Sequence, residues 1–385
     1  MADHRTLLEL VRTQNVLVCV GSGGVGKTTV SAAIAMYAAQ LGRTACVLTI
    51  DPARRLANSL GLNELGNRPT RVEDARFDVA GLPRPSGRLF AMMLDTKRTW
   101  DDLVHRFAPS DEQARRILAN RYYQNISGAL AGSQEFMAME KLYELHESGA
   151  YELLVLDTPP TRHALDFLDS PKQMIDFMDD RLLRFLMMPT QMGKLGFGML
   201  TSSTAMMFGV LQRITGFNVL NDIGEYVASF SGMHEGFKAR AKKVEEYLRS
   251  TRTSFALVAS PSAQTIDEAV FFFRKLHTAA MPFGGFIVNR VQTSGIVTAD
   301  DADEWERLRS HPLALTADAD LSKRLIENFA SFEAMAAAHA GQIASLAERC
   351  PGPYFHRVIP AFDEDVRDLG GLARVNAHLF EADPR

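Results

Sequence analysis

Cysteine is scarce in this 385-residue chain, and Cys19, Cys46 and Cys350 stand far apart. Three such positions supply neither the closely spaced set of a disulfide framework nor the four thiolates of a cysteine zinc site, so no zinc is expected. Cys19 and Cys46 lie inside apolar runs, where a small buried thiol is the ordinary reading. Basic charge is not in surplus. Forty-two Lys and Arg against 46 Asp and Glu give a formal net charge of −4. A general nucleic-acid binder draws much of its affinity from a basic excess, so no nucleic-acid partner is expected. Long apolar runs are missing too. The uncharged stretch 195–212 (LGFGMLTSSTAMMFGVLQ) reaches the lower length limit for a membrane span, but its glycines, hydroxyls and glutamine transfer poorly into lipid. The start MADHRTLLEL has no apolar signal region, so the expected compartment is a reducing cytoplasm.

What is present is an ordinary globular balance, 46% hydrophobic and 23% charged. Short β-branched runs alternate with helical patterns, which predicts an α/β fold with a mainly parallel twisted sheet flanked by helices. Strands are expected at 15–20, 44–50, 88–95, 151–157, 253–259, 284–289 and 354–359. Helices are expected from the glycine-rich turn to about Leu41, at 264–280, and where Phe329, Phe332, Met335, Ile343 and Leu346 recur at three-to-four spacing. Between 171 and 250 there is no strand signal. Helical faces are set there by Ile175, Met178, Leu182, Phe185 and Leu186, by Met207, Val210, Leu211 and Ile214, and by Phe237, Ala241, Val244 and Leu248. The expected organisation is a nucleotide-binding core over 1–170, a Met-rich helical subdomain over 171–250, and the rest of the core over 251–385.

The strongest motif is Gly21-Ser22-Gly23-Gly24-Val25-Gly26-Lys27-Thr28-Thr29, which fits G-x-x-x-x-G-K-[ST] between a predicted strand and a predicted helix. Glycines let the backbone form a nest of inward N–H groups, and the helix dipole points at the same place. In such a loop Lys27 reaches the β- and γ-phosphates, the Thr28 hydroxyl ligates Mg²⁺, and Thr29 contacts the α-phosphate. Asp51 and Asp157 end the second strand and the LLVL strand. Strand-terminal acids face the ligand in open α/β sheets and hold Mg²⁺ through its waters. The alternative for each is a cap of the segment that follows, since Pro52 and Thr158-Pro159 come next.

The glycine loop, TIDPARRLANSLG at 49–61 and LDTPPTRHALDFLD at 156–169 resemble the arsenical-pump and guided-entry ATPase family, a deviant-Walker P-loop class. FIVNRV at 286–291 and VIPAFDEDV at 358–366 are weaker late echoes. The resemblance implies an ATP- and Mg²⁺-dependent ATPase working as a nucleotide-gated dimer, a homodimer or a heterodimer with a paralogous subunit. It implies switch I from Asp51 and switch II over Asp157–Thr161. It further implies an adenine contact at Asn289 and a base-covering loop around Pro360.

Three departures qualify it. The family's lysine after the first loop glycine, which reaches the partner's phosphates, is Ser22 here. The last acid of DPA-x-x-L-x-D is Asn58, an amide that orients water without useful basicity, and base catalysis is worth about 10²–10⁴-fold. The family's clustered metal-binding cysteines are missing. Slow hydrolysis is therefore expected, with Lys27, Asp51, Asn58 and Asp157 as the catalytic set. Met174, Met178, Met187, Met188, Met192, Met199, Met206 and Met207 concentrate in the insertion. They form either a subdomain core or a groove for a hydrophobic client or membrane protein, which would bring the chain to the inner face of the membrane. Two alternatives remain open, an ATP-binding scaffold with little hydrolysis paired with an active paralogue, and a positioning ATPase of the division-site or partition type.

Overall fold

The computed structural model describes residues 6–51, 54–120, 123, 133–158, 234–316 and 318–380. The first two helical faces expected in the insertion, the stretch 195–212 and the methionine cluster lie outside these residues, as do Pro52, Ala53 and Pro159–Thr161. Among the described residues no helix is long and apolar enough to cross a membrane.

Two compact units divide the chain. The first comprises Met1–Met92, Gly149–Ala164 and Ser250–Arg385. It is built on a sheet whose strands are β1 (Val16–Val20), β2 (Thr44–Thr49), β3 (Thr70–Arg71), β4 (Arg88–Met93), β5 (Leu153–Asp157), β6 (Thr253–Ala259), β7 (Phe283–Val291) and β8 (Phe355–Pro360). Their order is β3-β4-β2-β5-β1-β6-β7-β8. From β2 through β8 the neighbours run parallel, while β3 and β4 are antiparallel. Every residue of β1, β5 and β6 is buried, the reason these strands read as unbroken apolar runs rather than alternations. The seven expected strands are all present, and the two-residue β3 is one the sequence pattern did not announce.

In the register, Val18 of β1 lies beside Leu156 of β5 and Phe255 of β6. The chain leaves β1 toward β2 on one side and takes up β6 on the other, so β1 marks the topological switch point where ligands enter an open parallel sheet. Helix α1 (Leu7–Thr13) precedes β1, and α2 (Lys27–Gln40) follows it. Helix α2 is rich in alanine and buried on nearly all sides, so it lies close to the sheet. Its outer neighbour is the C-terminal helix Leu369–Phe380, with Phe380 stacked on Tyr37 at 3.7 Å. The short helix α3 (Arg55–Ser59) and α4 (Asp74–Val79) complete this part of the core. Cys19, Cys46 and Cys350 are free and buried, and burial pushes the Cys19 thiol up to about 12.

The second unit comprises Met93–Ser148 and Leu165–Arg249. The sequence pattern placed 93–148 with the core; in the structure these residues share a unit with 234–249, the described end of the expected insertion. The described helices are α5 (Thr96–Phe107), α6 (Asp111–Ala119), α7 (Ser133–Glu147) and α8 (His234–Leu248). Phe237, Ala241, Val244 and Leu248 are buried on α8, the face their spacing predicts. Phe237 packs against Trp100 and Phe107 of α5.

Between α7 and α8 lies a buried ion cluster. Glu140 of α7 is 0% exposed, and Arg240 of α8 donates to both its oxygens at 2.8 Å. Arg240 also pairs with Glu147 and stands over the Tyr143 ring, while Arg106 approaches Glu140 at 3.6 Å. Burial raises the Glu140 carboxyl, a shift that Arg240 opposes. Removing one partner of such a pair leaves an uncompensated charge, which costs about 3–5 kcal/mol. Arg240→Ala should therefore lower the stability of the helical unit by about that amount at pH 8 and by less at pH 5, because Glu140 can then bind a proton. Urea titrations at the two pH values test this, and an equal loss at both would contradict it.

Candidate nucleotide-binding site

The glycine loop leaves β1 at the switch point and closes on the first turn of α2. Two of its glycines are fixed by neighbours distant in sequence. A Cβ at Gly21 would lie 2.0 Å from the Val258 carbonyl oxygen of β6. Gly26 takes φ +95° as the cap of α2, and a Cβ there would lie 2.2 Å from Asn289 Nδ2. Only a residue without a side chain satisfies both conditions. Asn289, near the end of β7, donates to the Val25 carbonyl at 2.8 Å and accepts from the Arg290 amide at 3.0 Å. It thereby ties the exit of β7 to the loop.

Lys27 is buried, its ammonium donating to the carbonyls of Gly21 at 2.8 Å and Ser22 at 2.7 Å. Burial lowers its pKa, and the charges of Asp157 and Asp51 work against that shift. Asp157 ends β5 beside β1 and is 1% exposed. One of its oxygens accepts from the Thr28 hydroxyl at 2.7 Å and the Thr49 hydroxyl at 2.8 Å. The other oxygen is buried and has no hydrogen-bond partner among the described residues. Burial pushes this carboxyl up to about 6 in spite of those two donors. Asp51 is half-buried at the exit of β2, its amide donating to the Thr49 hydroxyl at 3.2 Å. Thr158 anchors the chain after Asp157 by donating its hydroxyl to the Cys19 carbonyl at 2.8 Å.

The structure thus gathers Gly21–Thr28, Asp51 and Asp157 around one point, with Asn289 against the loop. Thr29 is half-buried in the first turn of α2. Asn58 is exposed on α3, and Pro360 closes β8 in register with Val291. Two contributors were not read from the sequence. Thr49 ends β2 two residues before Asp51, so its inward direction was available from strand alternation. Glu268, which accepts from the Ser22 hydroxyl, is 246 residues away and carried no local signal.

These residues fit a magnesium–nucleotide complex. Backbone N–H groups of the nest and the start of α2 suit phosphate, and Lys27 supplies the positive charge. Thr28 and the unpartnered oxygen of Asp157 suit a hydrated hard cation. Bound there, magnesium would neutralise charge on the phosphates; Asp157, with Thr28 and Thr49, would hold its waters in place.

The fold and this arrangement define a P-loop nucleotide-binding protein. Residues 14–311 match the family model described as anion-transporting ATPase, and the chain belongs to that family. It is 31% identical over 163 residues to a putative arsenical pump-driving ATPase of Prosthecochloris vibrioformis, covering 40% of this chain and 35% of that protein. Thus the match with this relative spans about a third of the relative's length. It is also 24% identical over 272 residues to ATPase GET3 of Podospora anserina, covering 70% and 71%. A third relative, putative arsenical pump-driving ATPase 1 of Aquifex aeolicus, is 25% identical over 306 residues, covering 76% and 67%.

The raised carboxyl of Asp157 has a consequence for stability. Its native value of about 6 lies above the ordinary 3.8, so the native state binds the extra proton between about pH 4 and 6. Stability from this group is complete below that window and is lost as pH rises through about 6, a penalty of roughly 3 kcal/mol at pH 7. Asp157→Asn, which keeps an acceptor for the two threonines, should stabilise the nucleotide-free protein by about 1–3 kcal/mol at pH 7 and by less at pH 5. Thermal melts at both pH values measure this; a variant less stable at pH 7 would refute it.

Proposed function

We propose that the chain is a magnesium-dependent ATPase that works as a nucleotide-gated dimer, coupling occupancy of the phosphate loop to handling of a hydrophobic protein segment or a membrane partner. The observation that carries this reading is that, at the exit of β1, the Lys27 ammonium held on the loop carbonyls lies within electrostatic reach of the Asp157 carboxylate, one of whose oxygens is engaged by Thr28 and Thr49 while the other is left unpartnered. Family membership supports it, since the names of the relatives describe ATPases. The protein would act in the cytoplasm, at the inner face of a membrane when engaged with its partner.

In this reading Lys27 leaves the loop carbonyls for the β- and γ-phosphates, and Thr29 takes the α-phosphate. Asn289 keeps the loop in place through one amide N–H while the other meets the base, which the segment after Pro360 covers. Asp51 and Asp157 steady the cation's waters, and Asn58 orients the attacking water. The client would be taken by the Met-rich segment 174–207, which suits varied apolar helices.

A second reading, an ATP-binding scaffold that turns over little, is favoured by two features. Ser22 is engaged with Glu268 instead of carrying a cation, and Asn58 offers no base. Phosphate release separates the two. Lys27→Ala should abolish ATP binding, and retained micromolar affinity in that variant would sink the phosphate assignment. Asn58→Asp should raise turnover roughly ten-fold or more if a missing base limits the rate. An unchanged rate would remove Asn58 from the hydrolytic step.

A further inference from the structure

Glu268 stands in the second turn of the helix Ala263–Thr278, which follows β6 and begins at the Ser262 cap. Both of its carboxylate oxygens are engaged. One accepts from the Ser22 hydroxyl of the glycine loop, and the other from Gln264 Nε2, one turn earlier, at 3.1 Å. Ser22 in turn offers its carbonyl to the Lys27 ammonium at 2.7 Å. A continuous hydrogen-bonded chain therefore runs from Gln264 through Glu268 and Ser22 to Lys27. It borders an open cavity of about 440 Å³ whose lining includes Gly21, Ser22, Val258, Thr265, Glu268 and Phe272.

A carboxylate near the mouth of a phosphate cradle repels an anionic ligand, so its place there calls for a compensating role. The loop supplies one. Four of its first six residues are glycine, and ordering such a segment around a phosphate loses more conformational freedom than ordering any other kind. Gly21 and Gly26 are held by Val258 and Asn289 on either side, and between them Ser22 is the residue whose side chain can form a hydrogen bond.

We propose that Glu268 is a positioning residue of the phosphate loop: by accepting the Ser22 hydroxyl it fixes the Ser22 peptide, and through that peptide's carbonyl it sets where the Lys27 ammonium waits for a nucleotide. The inference rests on the phosphate-site reading and deepens it. Because Ser22 is half-buried and Glu268 exposed, the contact acts on loop order with little effect on the stability of the core.

Calorimetric titration of the full chain with ATP and Mg²⁺ tests it. Ser22→Ala and Glu268→Ala should each raise the ATP dissociation constant about three- to ten-fold, the loss of one hydrogen bond to a charged acceptor at a solvated site. The double variant should be no weaker than the weaker single one, because both remove the same contact. Ser22→Thr and Glu268→Gln, which keep the donor and an acceptor, should recover most of the affinity of their alanine counterparts. Melting temperatures should stay within a degree or two of the parent's, which a purely structural role would not allow. Affinity within two-fold of the parent in Ser22→Ala, additive losses in the double variant, or a Glu268→Gln as weak as Glu268→Ala would each overturn the proposal. Lys27→Ala separates the two levels: if it still binds ATP the phosphate-site reading fails, whereas its loss of binding beside an unaffected Ser22→Ala removes Glu268 alone.

Discussion

A carboxylate buried at the exit of a central strand, with one oxygen shared by two threonine hydroxyls and the other left open, is the constraint on which the site depends. Asp157 can stand there only because β5 lies between β1 and β2, which brings Thr28 from one side and Thr49 from the other. Placing an ionisable group in that position is unfavourable for the empty protein, and its raised pKa expresses the penalty. The empty protein gives up stability there, and a cation that bound would meet a negative group already in place and out of water.

The phosphate loop depends on the same strand order. Its turn is permitted by glycine but is not determined by glycine, since a chain of such residues has many conformations open to it. The single shape seen here comes from the Val258 carbonyl against Gly21, the Asn289 amide against Gly26 and Val25, and the Glu268 carboxylate on Ser22. All three belong to β6, β7 or the helix between them, on the side of β1 away from Asp157. Loop and acid are thus held from opposite halves of the sheet, and β1 is where those halves join.

The helical unit follows a different logic. Its described core combines aromatic packing around Phe237 with a fully buried Glu140 that Arg240 and Arg106 meet. Such a cluster adds little net stability over apolar packing but disfavours other pairings of the same helices, because any slip leaves a charge unpaired. The apolar face of α8 was readable from its spacing, whereas the cluster was not, since Glu140 and Arg240 look like any solvated pair when their helices are read one at a time. For the long helix Ala319–Arg349, regular spacing was equally clear, yet Phe332 and Met335 are 51% and 47% exposed while Leu346 is buried. Periodicity gives a face; it does not say how far along the helix that face is covered.

Taken alone, the amino-acid order determined seven of the eight strands, the α2 start, the phosphate motif and the acids at the exits of β2 and β5. Each of these is written in local pattern: apolar runs doubly buried, glycines before a lysine, an acid where a run stops. Tertiary structure alone decided that 93–148 joins the helical unit, that Asn289 braces the loop, and that Glu268 enters the site at all. The reason is physical. A hydrogen bond between residues hundreds of positions apart depends on strand order and register, and those are settled by how the buried faces pack together, not by any stretch of chain read by itself.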